Sequence, residues 1–237
     1  FLQWGIEHYP ARHYLVVLWD HGSGVLDEVD TTVTTRALCY DQDGSVKAHD
    51  YKDWLTAKEV RKALVGAFKG RPVDLLVTDA CLMQMAEMAW EWQGAASYLV
   101  GSEEVTPADG LPYDTILGRL VSNPHFSPEQ LIPEILTCYS EYYRKDNFGF
   151  PLTISAINLS PEKIDPFGVA MAGFVTSFNK QTDTIKKEVK RLSQLTKKYS
   201  VPYQENKDLG HFLDLIINST LIPYSSALHS STQAARD

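Results

Sequence analysis

Residues 73–83 read VDLLVTDACLM: an apolar strand, an acid, a cysteine, and then a helix expected from about Met83 to Trp92. Residues 15–24, LVVLWDHGSG, follow the same grammar with a histidine in place of the cysteine. Leu15, Val16, Val17, Leu18 and Trp19 are apolar on both faces. Such a run suits a strand buried between two layers of helices better than one with a wet side. In an open α/β sheet the strand ends gather reactive groups, because the loops there are held by a rigid scaffold yet remain reachable.

Two strands of one parallel sheet place His21 and Cys81 along the same edge. Alone, each has an ordinary structural reading: His21 as a hydrogen-bonded histidine at a strand end, Cys81 as a small core hydrophobe. Together they have a chemical one, since a thiol needs a nearby base or proton donor to act as a nucleophile and imidazole is the usual choice. Gly22 and Gly24, on either side of Ser23, permit a sharp turn and expose backbone N–H groups.

Composition sets the frame. With 237 residues, 44% hydrophobic and 22% charged, the chain is long enough for one well-cored α/β domain, and no Pro- or Gly-rich linker, repeat or low-complexity tract divides it. No apolar stretch approaches the length of a membrane span. The net charge of −8 argues against a nucleic-acid partner and mildly favours cationic substrates. Cys39, Cys81 and Cys138 are odd in number and widely spaced, which argues against a disulfide framework and leaves at least one free thiol.

Outward from the two blocks, TRALCYDQDGSVKAHDY (35–51) reads as a hairpin turning at Asp43-Gly44. A calcium loop is the sharper reading of its DQDG, but the other acidic ligands and the terminal Glu of an EF-hand are missing, so no metal site is assigned. Thr56 and Glu59 form a capping box opening a helix to about Phe68. VDLLVTD and SYLVGSEE read as central strands and PLTISAIN (151–158) as another. Ser127-Pro128-Glu129 and Ser160-Pro161-Glu162 each start a helix, with the hydroxyl as cap and proline in the first turn. Ile185, Val189, Leu192, Leu195 and Tyr199 make a helical stripe with lysines opposite, the pattern of a solvated surface helix.

LWDHGSG followed by TDACLM resembles the clostripain family of cysteine peptidases, relatives of caspases, legumains and gingipains. FLQWGIEHYPARHY before the histidine block, LTAKEVRKAL between the blocks and YLVGSEEVTPADGLPYDTIL after the cysteine stand in the family's order, so the likeness spans most of residues 1–122. It implies a caspase-like three-layer α/β/α sandwich with a mostly parallel central sheet. One catalytic domain would run over 1–237, with a helical C-terminal portion over 180–237. The chain opens on a helix where the family has further sheet-forming sequence, so it is expected to be part of a domain, or one product of a cut precursor.

The resemblance also implies chemistry. Cys81 would be the nucleophile, His21 its proton-transfer partner, and the amides of Gly22 and Cys81 the oxyanion hole. Asp79 would either cap the following helix or, as the resemblance prefers, form the floor of a pocket for Arg or Lys, with Ser102, Glu103 and Glu104 as candidate walls or plain surface acids. The partners are then peptides or proteins with Arg or Lys at the cleaved position, and the chain's own N-terminal segment. Arg36 is the only basic residue between Gly22 and Val46 and is followed by the small Ala37. It is a candidate self-processing site, as relatives are cut between their two blocks. No cofactor is needed. Calcium dependence occurs in parts of the family, and a secreted or periplasmic bacterial enzyme is the implied setting.

Three other chemistries are open to these residues. HGSG also suits a lipase oxyanion loop, but no G-x-S-x-G elbow is present. A zinc site on Asp20 and His21 lacks an H-E-x-x-H motif or a second histidine at ligand spacing. The remaining rival is a catalytically inactive caspase-like domain that binds peptides or proteins.

Overall fold

The structure is a computed structural model and describes residues 1–24, 38–41, 53–144, 151–199 and 206–237. It forms two compact units, Phe1–Pro161 and Glu162–Asp237. The turn of the expected Asp43-Gly44 hairpin, with its DQDG stretch, lies outside the described residues, as do Arg36 and Ala37.

The first unit runs α1 (Leu2–His8), β1 (Leu15–Trp19), β2 (Leu38–Asp41), β3 (Asp53–Leu55), α2 (Ala57–Ala67), β4 (Val73–Asp79), α3 (Ala86–Trp92), β5 (Ala96–Gly101), α4 (Tyr113–Ser122), α5 (Pro128–Tyr143) and β6 (Ser155–Asn158). Its main sheet has the order β1-β4-β5-β6, parallel except for β6, which closes one edge antiparallel. β2 pairs antiparallel with β3, which lies beyond the 35–51 stretch expected to hold the hairpin; the expected second arm, after residue 44, falls outside the described residues.

β4 is central and dry: Val73, Leu75, Leu76 and Val77 are at most 1% exposed. Leu75 and Val77, with Val100 of β5, face a cluster containing Ile135, Cys138 and Tyr139 of α5. Leu76 and Leu99 point to the opposite face and are fully buried too, so both faces are covered. Burying each large aliphatic side chain this completely contributes about 1.5–3 kcal/mol.

β1 departs from expectation. Expected to be buried between two layers, it has Leu15 39% and Trp19 63% exposed, and among the described residues it lies at the sheet edge. The helix after Cys81 also starts late, at Ala86. Leu82 takes a left-handed φ of 63°. Its N–H then donates to the Glu104 carbonyl (3.2 Å) and that of Gln84 to Ser102 (3.0 Å). The chain thus keeps sheet-like bonding past the strand end before it coils.

Capping follows the sequence. Thr56 and Glu59 bond reciprocally at α2, and Ser127 pairs in the same way with Gln130 at α5. β6 is confined to the last four residues of PLTISAIN.

The second unit comprises α6 (Pro161–Asn179, whose first residue closes the first unit), α7 (Asp183–Leu195), α8 (Leu209–Ile217) and α9 (Ala227–Arg236). Val189 and Leu192 of α7 pack with Phe174, Ile216, Ile222 and Leu228, and Ile185 flanks them. The expected stripe stops there. Leu195 is 57% exposed and Tyr199 lies beyond the helix, because the chain turns extended at Thr196, whose hydroxyl bonds back to the Leu192 carbonyl. No described helix is long and apolar enough to cross a membrane.

Candidate active site

The register of β1 against β4 sets the site. Trp19 pairs with Asp79, and the Asp20 N–H reaches the Asp79 carbonyl at 3.3 Å. His21 and Cys81 therefore each stand two residues beyond a matched position, on adjacent strands pointing the same way. The two backbones touch here: a Cβ added to Gly22 would lie 2.5 Å from the Cys81 carbonyl oxygen, so only glycine fits.

His21 is exposed. Its N–H donates to Asp20 Oδ1 (2.6 Å) and its carbonyl accepts from the Cys39 N–H (3.1 Å). Gly22 bridges to Leu38, so β2 braces the histidine turn from outside. Cys39 is half-buried, and burial, aided by the charge of Asp20, pushes its thiol up to about 11.

Cys81 is half-buried at the mouth of the sheet edge. Its Sγ accepts from the Thr106 N–H (3.2 Å) and lies 3.5 Å from the Thr106 hydroxyl. The left-handed Leu82 directly follows, the kind of strained backbone that sharp nucleophile turns carry.

Asp79 is 4% exposed and does not cap α3, whose N-cap is Met85 with no side-chain bond. Instead Asp79 Oδ2 accepts from the Leu111 N–H (2.9 Å) and the Tyr113 hydroxyl (2.6 Å). Burial, then the bond to Asp79 and its charge, push the Tyr113 phenol well above its ordinary range and keep it a donor. Gly110, at φ +67°, makes this possible: a Cβ there would sit 2.5 Å from Asp79 Oδ2. The Gly110 carbonyl accepts from the buried Tyr143 hydroxyl at 2.5 Å.

Asp79, Ser102, Thr106, Tyr139 and Thr153 line a narrow slot of about 10 Å³ beside the cysteine, room for roughly one water. Ser102, expected as a wall, is there, its hydroxyl donating to the Glu104 carbonyl (3.0 Å) and lying 2.9 Å from that of Thr153. Glu103 is not among the lining residues; its N–H bonds Thr153 Oγ1 at 3.2 Å. Glu104 contributes its carbonyl to Leu82 and Ser102.

Thr106, Gly110, Tyr113 and Tyr139 were not singled out from the sequence. ADG at 108–110 was a legible turn signal, and Tyr139 and Tyr143 stand one helical turn apart. Nothing local links either feature to Asp79, because the contacts span 31 or more positions.

The model of the clostripain family matches residues 1–229, well beyond the likeness over residues 1–122. Clostripain of Hathewaya histolytica is 30% identical over 125 residues, 51% of this chain and 23% of that protein. An inactive zymogen C11 protease from Parabacteroides distasonis superposes with a TM-score of 0.60 at 22% identity, covering 99% of this chain and 56% of that one. A secreted C11 cysteine protease of Bacteroides thetaiotaomicron, iotapain, gives 0.68 at 14% identity, covering 98% and 60%. The chain thus spans about a quarter of the clostripain sequence and 56–60% of these solved relatives. The mostly parallel α/β sheet agrees with theirs, and the chain belongs to the clostripain family.

Proposed function

We propose that this chain carries the Cys–His site of a cysteine endopeptidase that cuts after Lys or Arg. The observation that supports it most is the β1–β4 register, which sets His21 and Cys81 level beyond Trp19 and Asp79. The Cys81 thiolate attacks the scissile carbonyl carbon. The N–H groups of Gly22 and Cys81 stabilise the oxyanion, and His21 hands a proton to the leaving amine. Water then attacks the thioester, giving its proton to His21, and releases the acid product with Cys81 restored. Asp79 receives the basic side chain in the adjacent slot.

Self-cutting between Arg36 and Ala37 belongs to the same reading. Leu38, directly downstream, bridges Gly22, and Cys39 bonds His21, so a cut there would release a chain end beside the catalytic histidine. The zymogen relative is compatible with such processing. A secreted site of action is supported by the secreted relative. His21→Ala tests the reading: hydrolysis of Lys- and Arg-amide reporters should fall at least ~10²-fold. Unchanged hydrolysis would remove His21 from the mechanism. N-terminal sequencing of aged protein should show a new end ALCYDQ, absent from Cys81→Ala.

A further inference from the structure

Tyr139 has no place in the chemistry described so far. It is 5% exposed and lines the slot beside Asp79, and its hydroxyl, buried, has no hydrogen-bond partner among the described residues. A phenylalanine would fill the same apolar site at no such cost, and native interiors rarely leave a polar atom unpaired without a reason. The ring is held in place. It packs edge-on against Tyr143 with centroids 4.8 Å apart, and Tyr143 is tied to the Gly110 carbonyl. Burial, then the charges of Asp79 and Cys81, push its phenol up to about 12, so the oxygen keeps its proton at working pH and offers lone pairs to a cation.

Asp79 presents a matching asymmetry. Oδ2 already receives two donors, from Leu111 and Tyr113, while Oδ1 has no hydrogen bond among the described residues. A guanidinium makes its strong contact as a planar fork onto both oxygens of one carboxylate. That geometry is blocked where Oδ2 is taken. An ammonium is a compact group with three donors spread in a tetrahedron. It suits one carboxylate oxygen, one phenol oxygen and one further hydroxyl, which Thr106 supplies from the slot wall.

We propose that the Tyr139 hydroxyl and Asp79 Oδ1 together form an ammonium-selective floor, making the slot prefer lysine over arginine at the cleaved position. This rests on the reading of Asp79 as the pocket acid and goes beyond it by adding a specificity residue and choosing between the two cations.

The test compares kcat/KM on Lys- and Arg-amide reporters of identical leader sequence, in the full chain and in Tyr139→Phe. Wild type should favour Lys. The variant should lose about tenfold or more on Lys and less than threefold on Arg, the size of one hydrogen bond to a charged group. Because the deleted oxygen has no partner, the melting temperature should not fall. Butylamine should also inhibit wild type more tightly than butylguanidine, a readout that needs no variant. A wild-type preference for Arg, tighter butylguanidine, or a Lys/Arg ratio that moves less than twofold in Tyr139→Phe overturns this inference alone. Wild type that cleaves neither basic reporter overturns both it and the basic-pocket reading.

Discussion

His21 and Cys81 stand two residues beyond a register-matched pair, Trp19 and Asp79, on neighbouring parallel strands. A one-residue slip would turn every side chain of β1 to the other face and carry His21 out of level with Cys81. The glycine at position 22 is fixed by the same closeness, since its backbone lies against that of Cys81. The sheet register is therefore part of the catalytic arrangement proposed above.

The three cysteines should separate cleanly. Cys81→Ala should abolish reporter hydrolysis, whereas Cys39→Ala and Cys138→Ala should retain most of it. Cys138 is 2% exposed in the cluster with Ile135 and Tyr139, so its truncation should cost about 1 kcal/mol in urea unfolding through a small cavity. Activity surviving in Cys81→Ala would end the peptidase assignment.

Tyr113→Phe deletes a 2.6 Å bond to the Asp79 carboxylate. Losing a hydrogen bond to a buried charge should cost about 1.5–3 kcal/mol of unfolding free energy. It also removes one of the two donors on Oδ2, opening a lone pair there to a guanidinium beside the remaining Leu111 N–H, so the Lys/Arg ratio of kcat/KM should shift towards Arg. A shift the other way would contradict the assignment of Oδ2 as occupied.

Gly110→Ala and Gly70→Ala form a controlled pair. Both positions have positive φ, +67° and +80°, but only at Gly110 does a new Cβ meet another group, Asp79 Oδ2 at 2.5 Å. Gly70→Ala should cost about 1 kcal/mol from backbone strain alone, with activity intact. Gly110→Ala should cost more and should raise KM for basic reporters, because Asp79 must move. Equal effects of the two on KM would show that Asp79 does not line the substrate slot.

The Cys39 thiol, raised by burial and then by Asp20, should react with iodoacetamide at a rate that climbs through pH about 11 rather than through the ordinary 9.0. A raised thiol pKa means the fold favours the protonated form. The stability this contributes is complete below 9.0 and lost as pH rises through about 11. Asp20→Asn should lower the inflection only partly, since burial is the larger cause. The measurement is pH-resolved alkylation of Cys81→Ala read by peptide mass spectrometry.

What the sequence disclosed was mostly local or periodic. The VDLLVTD strand, the Thr56–Glu59 box and the two Ser-Pro helix starts are written within a few residues, and the structure has them. The edge position of β1 was not legible, because an apolar run carries no record of which flank is paired. Nor was the delayed start of α3, which depends on carbonyls of Ser102 and Glu104 that the next strand delivers. The surroundings of Asp79 were hidden for the same reason: Leu111, Tyr113 and Tyr139 reach it only after the chain has folded.

Covalent labelling tests the central claim most directly. The protein is treated with a lysyl or argininyl chloromethyl ketone probe, digested, and the adduct mapped by mass spectrometry. The account predicts a single adduct on Cys81, lost in Cys81→Ala, strongly reduced in Asp79→Asn, and not formed by a probe of the same reactivity carrying Asp at the recognition position. An adduct on Cys39 or Cys138 instead, or equal labelling by the acidic and basic probes, would contradict it.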